Sequence, residues 1–520
     1  MSPTPAEPNP APIMRRDFAS SPRMPNMTPR LQERYNLLFL LIFLISAPAL
    51  AVTEIRLWHA MEGVPAQTLG RMVQRFNAQQ AEIKVVAEFK GSYGEALSGA
   101  IASTPGANGP HLLQSPDASA NLLTETPGRI RSLHQLLSET KTALDTHHYY
   151  PAIAAAYADR RGGLLALPFN VSTPVFVYNR EAFRKAGLNP DQPPKTWRDV
   201  QAAALRISKA GMECAYTSGM ASWVHLENLA AWHNEPFATN DNGHLLHAGH
   251  AGHAGHGGAA AKAERGARGS SKLVINGELA MRHLSLLSSW VKGGLFTPAA
   301  SAGEAERNFM SGQCAMLTSE APALRELAAG SNLDVAVAAL PYYEEFSGAP
   351  FNTLAGGAAL WVMGGKSSAE NRASARFLAY IASPAAQAEW SEETGYLPTT
   401  PAGTSSLQQR GWLGRLPGAQ AAIQQLSRKA QSHSRGLRLG DFQKIRAILD
   451  QELDTVWQSS KTPKEALDSA VEQSNLLLKD FEQRLRTTQL ASQSASQPTQ
   501  QPVQESAAAA PAKPLKRAKK

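Results

Sequence analysis

The sequence predicts an α/β protein, with a stretch near Pro174 that suits a chain crossing between two lobes. Three observations lead there. Strand-like and helix-like segments alternate from Ile55 to Ile101, a buried strand begins directly after a polar kink at residues 170–174, and amphipathic helices dominate the C-terminal part. The β-α-β-α order favours a lobe with a largely parallel sheet, whose ligands collect beyond the carboxyl ends of the strands.

A chain of 520 residues has length for about two to four domains and an ample core. Of its formal charge of +8, residues 1–51 hold +2 and residues 487–520 hold +4, which leaves +2 on the body. The basic balance therefore reports the two ends and gives no sign of a nucleic-acid partner. Asn36 to Ala51 read NLLFLLIFLISAPALA after Arg30 and Arg34, and they end in the small-x-small pattern Ala49-Leu50-Ala51. So short an apolar run with a processing site is a secretory signal peptide rather than a membrane span. No cysteine follows to carry a lipid, Met24 and Met27 are alternative starts, and Arg15-Arg16 lies far from the apolar run for a twin-arginine signal. Export permits a disulfide between Cys214 and Cys314, and two separately buried thiols are the alternative.

The elements follow in order. Ile55-Arg56-Leu57-Trp58 reads as the first strand, and Leu69, Met72, Val73 and Phe76 recur at helical spacing. Ile83, Val85, Ala87 and Phe89 alternate with mostly polar neighbours as a strand does, and Leu97 and Ile101 mark a short helix. Tyr93 and the Ser115-Pro116-Asp117 turn fall at strand ends, where the cleft should lie. Val175-Phe176-Val177 is a continuous β-prone run after Pro174, with Asn170, Ser172 and Thr173 at its mouth. It is either the crossing between lobes, which would put Ser172 against a ligand, or an ordinary core strand after a turn. Thr196 with Asp199 opens a helix to about Ala210, and Thr462-Pro463-Lys464-Glu465 opens the last long one. Ile445, Ile448, Leu449, Leu453 and Val456 mark another amphipathic helix. Ala355-Gly356-Gly357-Ala358 reads as a bare loop leading into the strand Leu360-Trp361-Val362, where backbone N–H groups can approach a ligand. Residues 243–271 are Gly-, Ala- and His-rich and read as an inserted surface loop. The Gln/Ser/Ala/Pro tail 487–520 has too little apolar surface to order itself.

His244, His247, His250, His253 and His256 stand at period three, and neutral imidazoles at this density take zinc, nickel or copper. The Gly-rich setting offers no fixed geometry or supporting carboxylate, so metal uptake there would be opportunistic. The sequence holds no G-x-S-x-G elbow, no H-E-x-x-H and no phosphate loop with lysine. Asp117 could serve as a base or simply accept hydrogen bonds from ligand hydroxyls. Binding fits better than catalysis: Tyr93, Asp117, Ser172, Gly357, Tyr396 and Arg446 offer aromatic faces and acceptors for a polyol, and hydroxyls, amides and an arginine for a phosphate.

Further motifs carry a resemblance. Trp58-His59-Ala60-Met61-Glu62-Gly63, Lys90-Gly91-Ser92-Tyr93, Pro168-Phe169-Asn170-Val171-Ser172-Thr173-Pro174, Pro193-Pro194-Lys195-Thr196-Trp197, Gly395-Tyr396-Leu397-Pro398 and Gly436-Leu437-Arg438-Leu439-Gly440 together resemble the periplasmic sn-glycerol-3-phosphate-binding proteins of ABC importers, over about Val52 to Arg486. The resemblance implies the two-lobed periplasmic-binding-protein fold (type II, close to the maltose-binding type), with a ligand cleft between lobes joined by hinge segments. It divides the chain into a leader 1–51, an N-terminal lobe of 52–171 plus 340–398, and a C-terminal lobe of 172–339 plus 399–486. It implies ligand contacts from Tyr93, Asp117, Ser172, Gly357, Tyr396 and Arg446, with Trp197 walling the glycerol end. One departure stands out: Glu320 occupies the place of a phosphate-contacting serine. A carboxylate there repels phosphate unless protonated or turned onto Arg446. Ser319 could take over the contact, or Glu320 could face the cationic head group of a glycerophosphodiester. The implied function is non-enzymatic capture of glycerol 3-phosphate or a glycerophosphodiester in the periplasm, without a cofactor, for inner-membrane permease subunits and their ATPase. An unphosphorylated sugar or polyol, a secreted phosphodiester hydrolase and metal capture by the histidine loop are the alternatives.

Overall fold

The structure, a computed structural model, describes residues 52–495 apart from 104–108, 125–127, 160, 245–269, 331 and 417. The expected signal peptide, His247, His250, His253, His256 and the end of the tail lie outside the described residues. No described helix is long and apolar enough to cross a membrane.

Two sheets organise the body. The first is built from β1 (Thr53–His59), β2 (Ile83–Phe89), β3 (Leu112–Pro116), β4 (Ile130–Arg131), β5 (Leu167–Ser172) and β11 (Gly356–Met363). Its order is β2-β1-β3-β11-β4, with β5 also paired to β11. β1 runs parallel to β2 and β3, as the β-α-β reading expects. β11 runs antiparallel to β3, β4 and β5, so the sheet is mixed. The reason is that β11 arrives from the other lobe, without a right-handed helical crossover to impose parallel pairing.

The second sheet holds β6 (Pro174–Asn179), β7 (Cys214–Ser218), β8 (Phe296–Pro298), β9 (Cys314–Glu320) and β10 (Val335–Ala338), in the order β10-β6-β9-β7-β8. β6 is buried on both faces: Val175 and Val177 join one core cluster, while Phe176 and Tyr178 join the other. That double burial accounts for the unbroken apolar run. Cys214 lies opposite Cys314 in the parallel β7/β9 pair, and the two form a disulfide.

The predicted helices are present. Gly63–Ala78 buries Leu69, Met72, Val73 and Phe76, and Phe442–Trp457 buries Ile445, Leu449, Leu453 and Val456. Trp197–Lys209 starts with the expected Thr196/Asp199 capping box, and Thr462 and Glu465 cap the start of the last helix reciprocally. That helix runs Pro463–Ala495, past Arg486, where the sequence reading begins a disordered tail. Extending a formed helix adds a hydrogen bond per residue with no new nucleation, so polar residues with fair helix propensity can continue it. Phe89 departs from its alternation, because β2 is an edge strand and leaves this side chain half exposed.

The lobes join at buried polar crossings. Thr173 lies between β5 and β6, and its Oγ1 donates to Thr353 Oγ1 at 2.6 Å on the segment leading to β11. Asn352 donates to the carbonyl of Ser434 at 2.8 Å, on the segment between the helices Ala419–Ser427 and Phe442–Trp457. Ser172, assigned by sequence to the second lobe, still pairs with Gly356 in the first sheet, so the crossing begins one residue later. The segment following Pro398 also stays with the first lobe. Gln387 on the helix Pro384–Thr394 accepts from the backbone and hydroxyl groups of Thr399 and Thr400, which dock the helix Pro401–Gln409 beside it.

Candidate ligand-binding site

The carboxyl end of β3 and the junction of β5 with β6 bring most of the expected residues together. Tyr93 is the first residue of the helix Tyr93–Ala102, which is fixed by a Ser92/Glu95 capping box. Its hydroxyl accepts from Gln114 Nε2 at 3.3 Å, and the same amide donates to Asn170 Oδ1 at 2.9 Å. Tyr396 also reaches Asn170 through its hydroxyl, and its ring stacks on Trp390 with centroids 6.1 Å apart. Asp117 begins a short turn after β3. Burial, reinforced by Glu320 and Asp117, pushes the Tyr93 phenol up to about 12. Burial, Glu320 and Tyr93 raise that of Tyr396 as well. Both phenols therefore stay neutral and able to donate at physiological pH.

From the second lobe come Glu320 and Arg446. Glu320 ends β9, opposite Pro174, and its Oε2 accepts the Ser172 hydroxyl at 2.8 Å. It has no cation within ion-pair distance among the described residues. Burial raises its pKa, and the Ser172 hydrogen bond offsets part of that rise. Arg446, on the helix Phe442–Trp457, donates from Nε and Nη2 to the two oxygens of Glu227, each at 2.7 Å. Its Nη2 lies 3.8 Å from Asp117 on the opposite lobe. The guanidinium sits 5.2 Å from the Trp223 ring centroid and 4.8 Å from that of Phe442. Burial alone would lower the pKa of Arg446, but Glu227 and Asp117 raise it, so it remains charged. Glu227 is wholly buried, and burial raises its pKa against the pull of Arg446.

Three expectations need correction. The Gly356-Gly357 pair is not a loop: both residues already belong to β11, where Gly357 pairs with Val171. Gly357 has φ +94°, and a Cβ there would fall 1.7 Å from the Asn170 carbonyl oxygen. The missing side chain thus admits a neighbouring strand. Trp197 does not line the cleft. It is 2 % exposed in the core of the second lobe, with its ring 4.6 Å from that of His283. As the first residue of an amphipathic helix, it turns its indole inward with Val200 and Ala204. Ser319, the alternative phosphate contact, instead donates to Glu306 at 2.6 Å.

Sequence reasoning misses Trp223, Glu227 and Tyr157. Trp223 and Glu227 lie on one π-helical turn, Trp223–Asn228, a rare geometry that recurs at functional sites. A Cβ at Gly356 would meet Trp223 at 2.6 Å, so that glycine lets the indole close over the site. The four-residue spacing of Trp223 and Glu227 is the one signal that could have found them. Tyr157 stands in an alanine-rich stretch that offers none. His244, the described member of the histidine repeat, faces the Gly436 carbonyl at 3.2 Å. Among the described residues, no group of three or more His, Cys, Asp or Glu could hold a metal.

The site thus offers hydroxyls, carboxylates and a guanidinium, drawn from both lobes. Comparison with known proteins agrees with a binding fold. Residues 71–406 match the family described as bacterial extracellular solute-binding protein. The chain is 36% identical over 442 residues to the sn-glycerol-3-phosphate-binding periplasmic protein UgpB of Pectobacterium atrosepticum, covering 85% of this chain and 94% of that protein. It is also 36% identical to UgpB of an Escherichia coli strain, over 85% of this chain and 96% of that one. Among solved structures, UgpB from Mycobacterium tuberculosis in complex with glycerophosphocholine aligns with a TM-score of 0.62 at 20% identity, covering 83% of this chain and 99% of that one. The sugar-binding protein MalE from Xanthomonas citri aligns with a TM-score of 0.62 at 19% identity, over 85% and 99% of the two chains. These two structures share the two-lobed fold.

Proposed function

Because this chain belongs to the bacterial extracellular solute-binding protein family, we propose that it captures sn-glycerol 3-phosphate or a glycerophosphodiester in the periplasm and delivers it to an ABC importer. The observation that carries this reading is the meeting of Tyr93 and Asp117 from one lobe with Glu320 and Arg446 from the other. Glu227 uses Nε and Nη2 of Arg446, which leaves the Nη1 edge for a phosphoryl oxygen. Asp117 accepts from glycerol hydroxyls, while the neutral phenols donate. A ligand touching both lobes favours the closed state by its differential affinity. The closed form then presents a joint surface to permease subunits in the inner membrane, with their ATPase behind them. The signal peptide 1–51 routes the chain there.

Glu320 favours the diester over the monoester. A buried carboxylate without a cation is costly, and a second anion beside it adds repulsion. A zwitterionic diester such as glycerophosphocholine brings its own cation to Glu320 and a singly charged phosphate to Arg446. Calorimetry with glycerol 3-phosphate, glycerophosphocholine and maltose tests the reading. Binding of either phosphorylated ligand without maltose is expected, and maltose binding alone would overturn it. Prolonged incubation should return the diester intact, as a binding protein requires and a hydrolase does not.

A further inference from the structure

Tyr157 ends the helix Pro151–Tyr157 and is 1 % exposed. Its hydroxyl makes no hydrogen bond among the described residues. Buried polar groups are nearly always paired, so an unpaired one in a binding cleft calls for a partner from outside the chain. The surroundings say which partner. The hydroxyl is within electrostatic reach of Asp117, Tyr93 and Arg446, which places it at the guanidinium end of the cleft. Asp117 already faces Arg446 across the lobes, and Arg446 can only donate. An oxyanion lying against the open Nη1 edge of Arg446 could accept from both the guanidinium and the phenol.

We propose that the Tyr157 hydroxyl is a ligand-binding group, donating a hydrogen bond to the anionic phosphoryl end of the ligand beside Arg446. This rests on the phosphorylated-ligand reading and adds to it a contact from the first lobe onto a group held by the second. Tyr157 would thereby help to draw the lobes shut. Burial keeps the phenol protonated at any physiological pH, so the donor is always available. In the free protein, the hydroxyl is a liability to stability rather than an asset.

Tyr157→Phe separates the two roles, because it removes one oxygen and keeps the ring. Titration calorimetry with sn-glycerol 3-phosphate and with glycerophosphocholine is expected to show Kd rising about tenfold or more for the ligand that binds, as for loss of a hydrogen bond to a charged group. The melting temperature of the free variant should equal or exceed that of the wild type. If wild-type protein binds its phosphorylated ligand and the variant binds it equally well, the proposal falls while the functional reading stands. If the free variant melts lower with unchanged affinity, the hydroxyl serves the fold through a bound water, and the proposal also falls. If the wild type binds neither ligand, the reading and the proposal fail together.

Discussion

The two ends of the cleft follow opposite electrostatic plans. At the Arg446 end, one guanidinium is gripped by Glu227, faced by Asp117 and flanked by two aromatic rings before any ligand arrives. At the Glu320 end, a carboxylate receives one serine hydroxyl and the neighbourhood of two phenols, with no cation among the described residues. The first end is preorganised, and its charges stabilise one another. The second has a charge that the ligand must complete or a proton must neutralise. On the proposed reading, the preassembled end would supply affinity and the unfinished one selectivity, a division of labour that a uniformly charged pocket could not give.

Removing the cation should produce the largest effect. Arg446→Ala leaves Glu227 buried and unpaired, which is expected to cost about 3–5 kcal/mol of folding stability by urea titration. Exchanging both partners for apolar residues should cost much less. A loss under about 1 kcal/mol would mean that the Glu227 end is solvated and the contrast false. Gly357→Ala comes next. With φ +94° and a strand carbonyl in the way, it is expected to destabilise by about 2–4 kcal/mol and to displace Asn170, which bonds Tyr396 and the Gln114 amide that reaches Tyr93. An unperturbed melting curve would show that β5 and β11 can part there without penalty.

Glu320→Gln addresses the open end. It should weaken glycerophosphocholine relative to glycerol 3-phosphate by about 1–3 kcal/mol in paired titrations. An unchanged ratio would show that Glu320 does not read the head group. The smallest effect concerns pH. Burial raises the folded pKa of Glu320 above its ordinary value of 4.5, so the folded state holds that proton longer. Its contribution to stability is present below that value and is lost as pH rises through the folded pKa. The Glu320→Gln protein should therefore gain on the wild type in melting temperature as pH rises from about 4.5 towards neutrality. Glycerophosphocholine affinity of the wild type should rise over the same interval, because the ionised form is the one that meets the cation. Glu227 also titrates upward, and the variant comparison cancels it.

Much of the frame behind this contrast is legible in the amino-acid sequence. Helix starts at Thr196 and Thr462 can be read there because capping needs a few residues at fixed spacing. The strand after Pro174 can be read because burial on both faces leaves an unbroken apolar run. Gly357 stands out in sequence as a place without bulk, but what fills the space is a carbonyl of β5, which lies far away along the chain. Trp197 misleads for a related reason: a conspicuous aromatic in a familiar motif says nothing about which face of its helix meets the core. Glu227 and Tyr157 are invisible in sequence because their meaning lies in a partner 219 residues away or in the lack of any.

By itself the sequence determined the alternation of elements, the exported class, the family resemblance and the residue types at the cleft, because these depend on local periodicity and on short spacings. Tertiary structure decided the antiparallel entry of β11, the Arg446–Glu227 pair, the open state of Glu320 and the unpaired hydroxyl of Tyr157. Each of these is a relation between distant segments, and the strength of a charge or hydrogen bond is set by what burial places beside it.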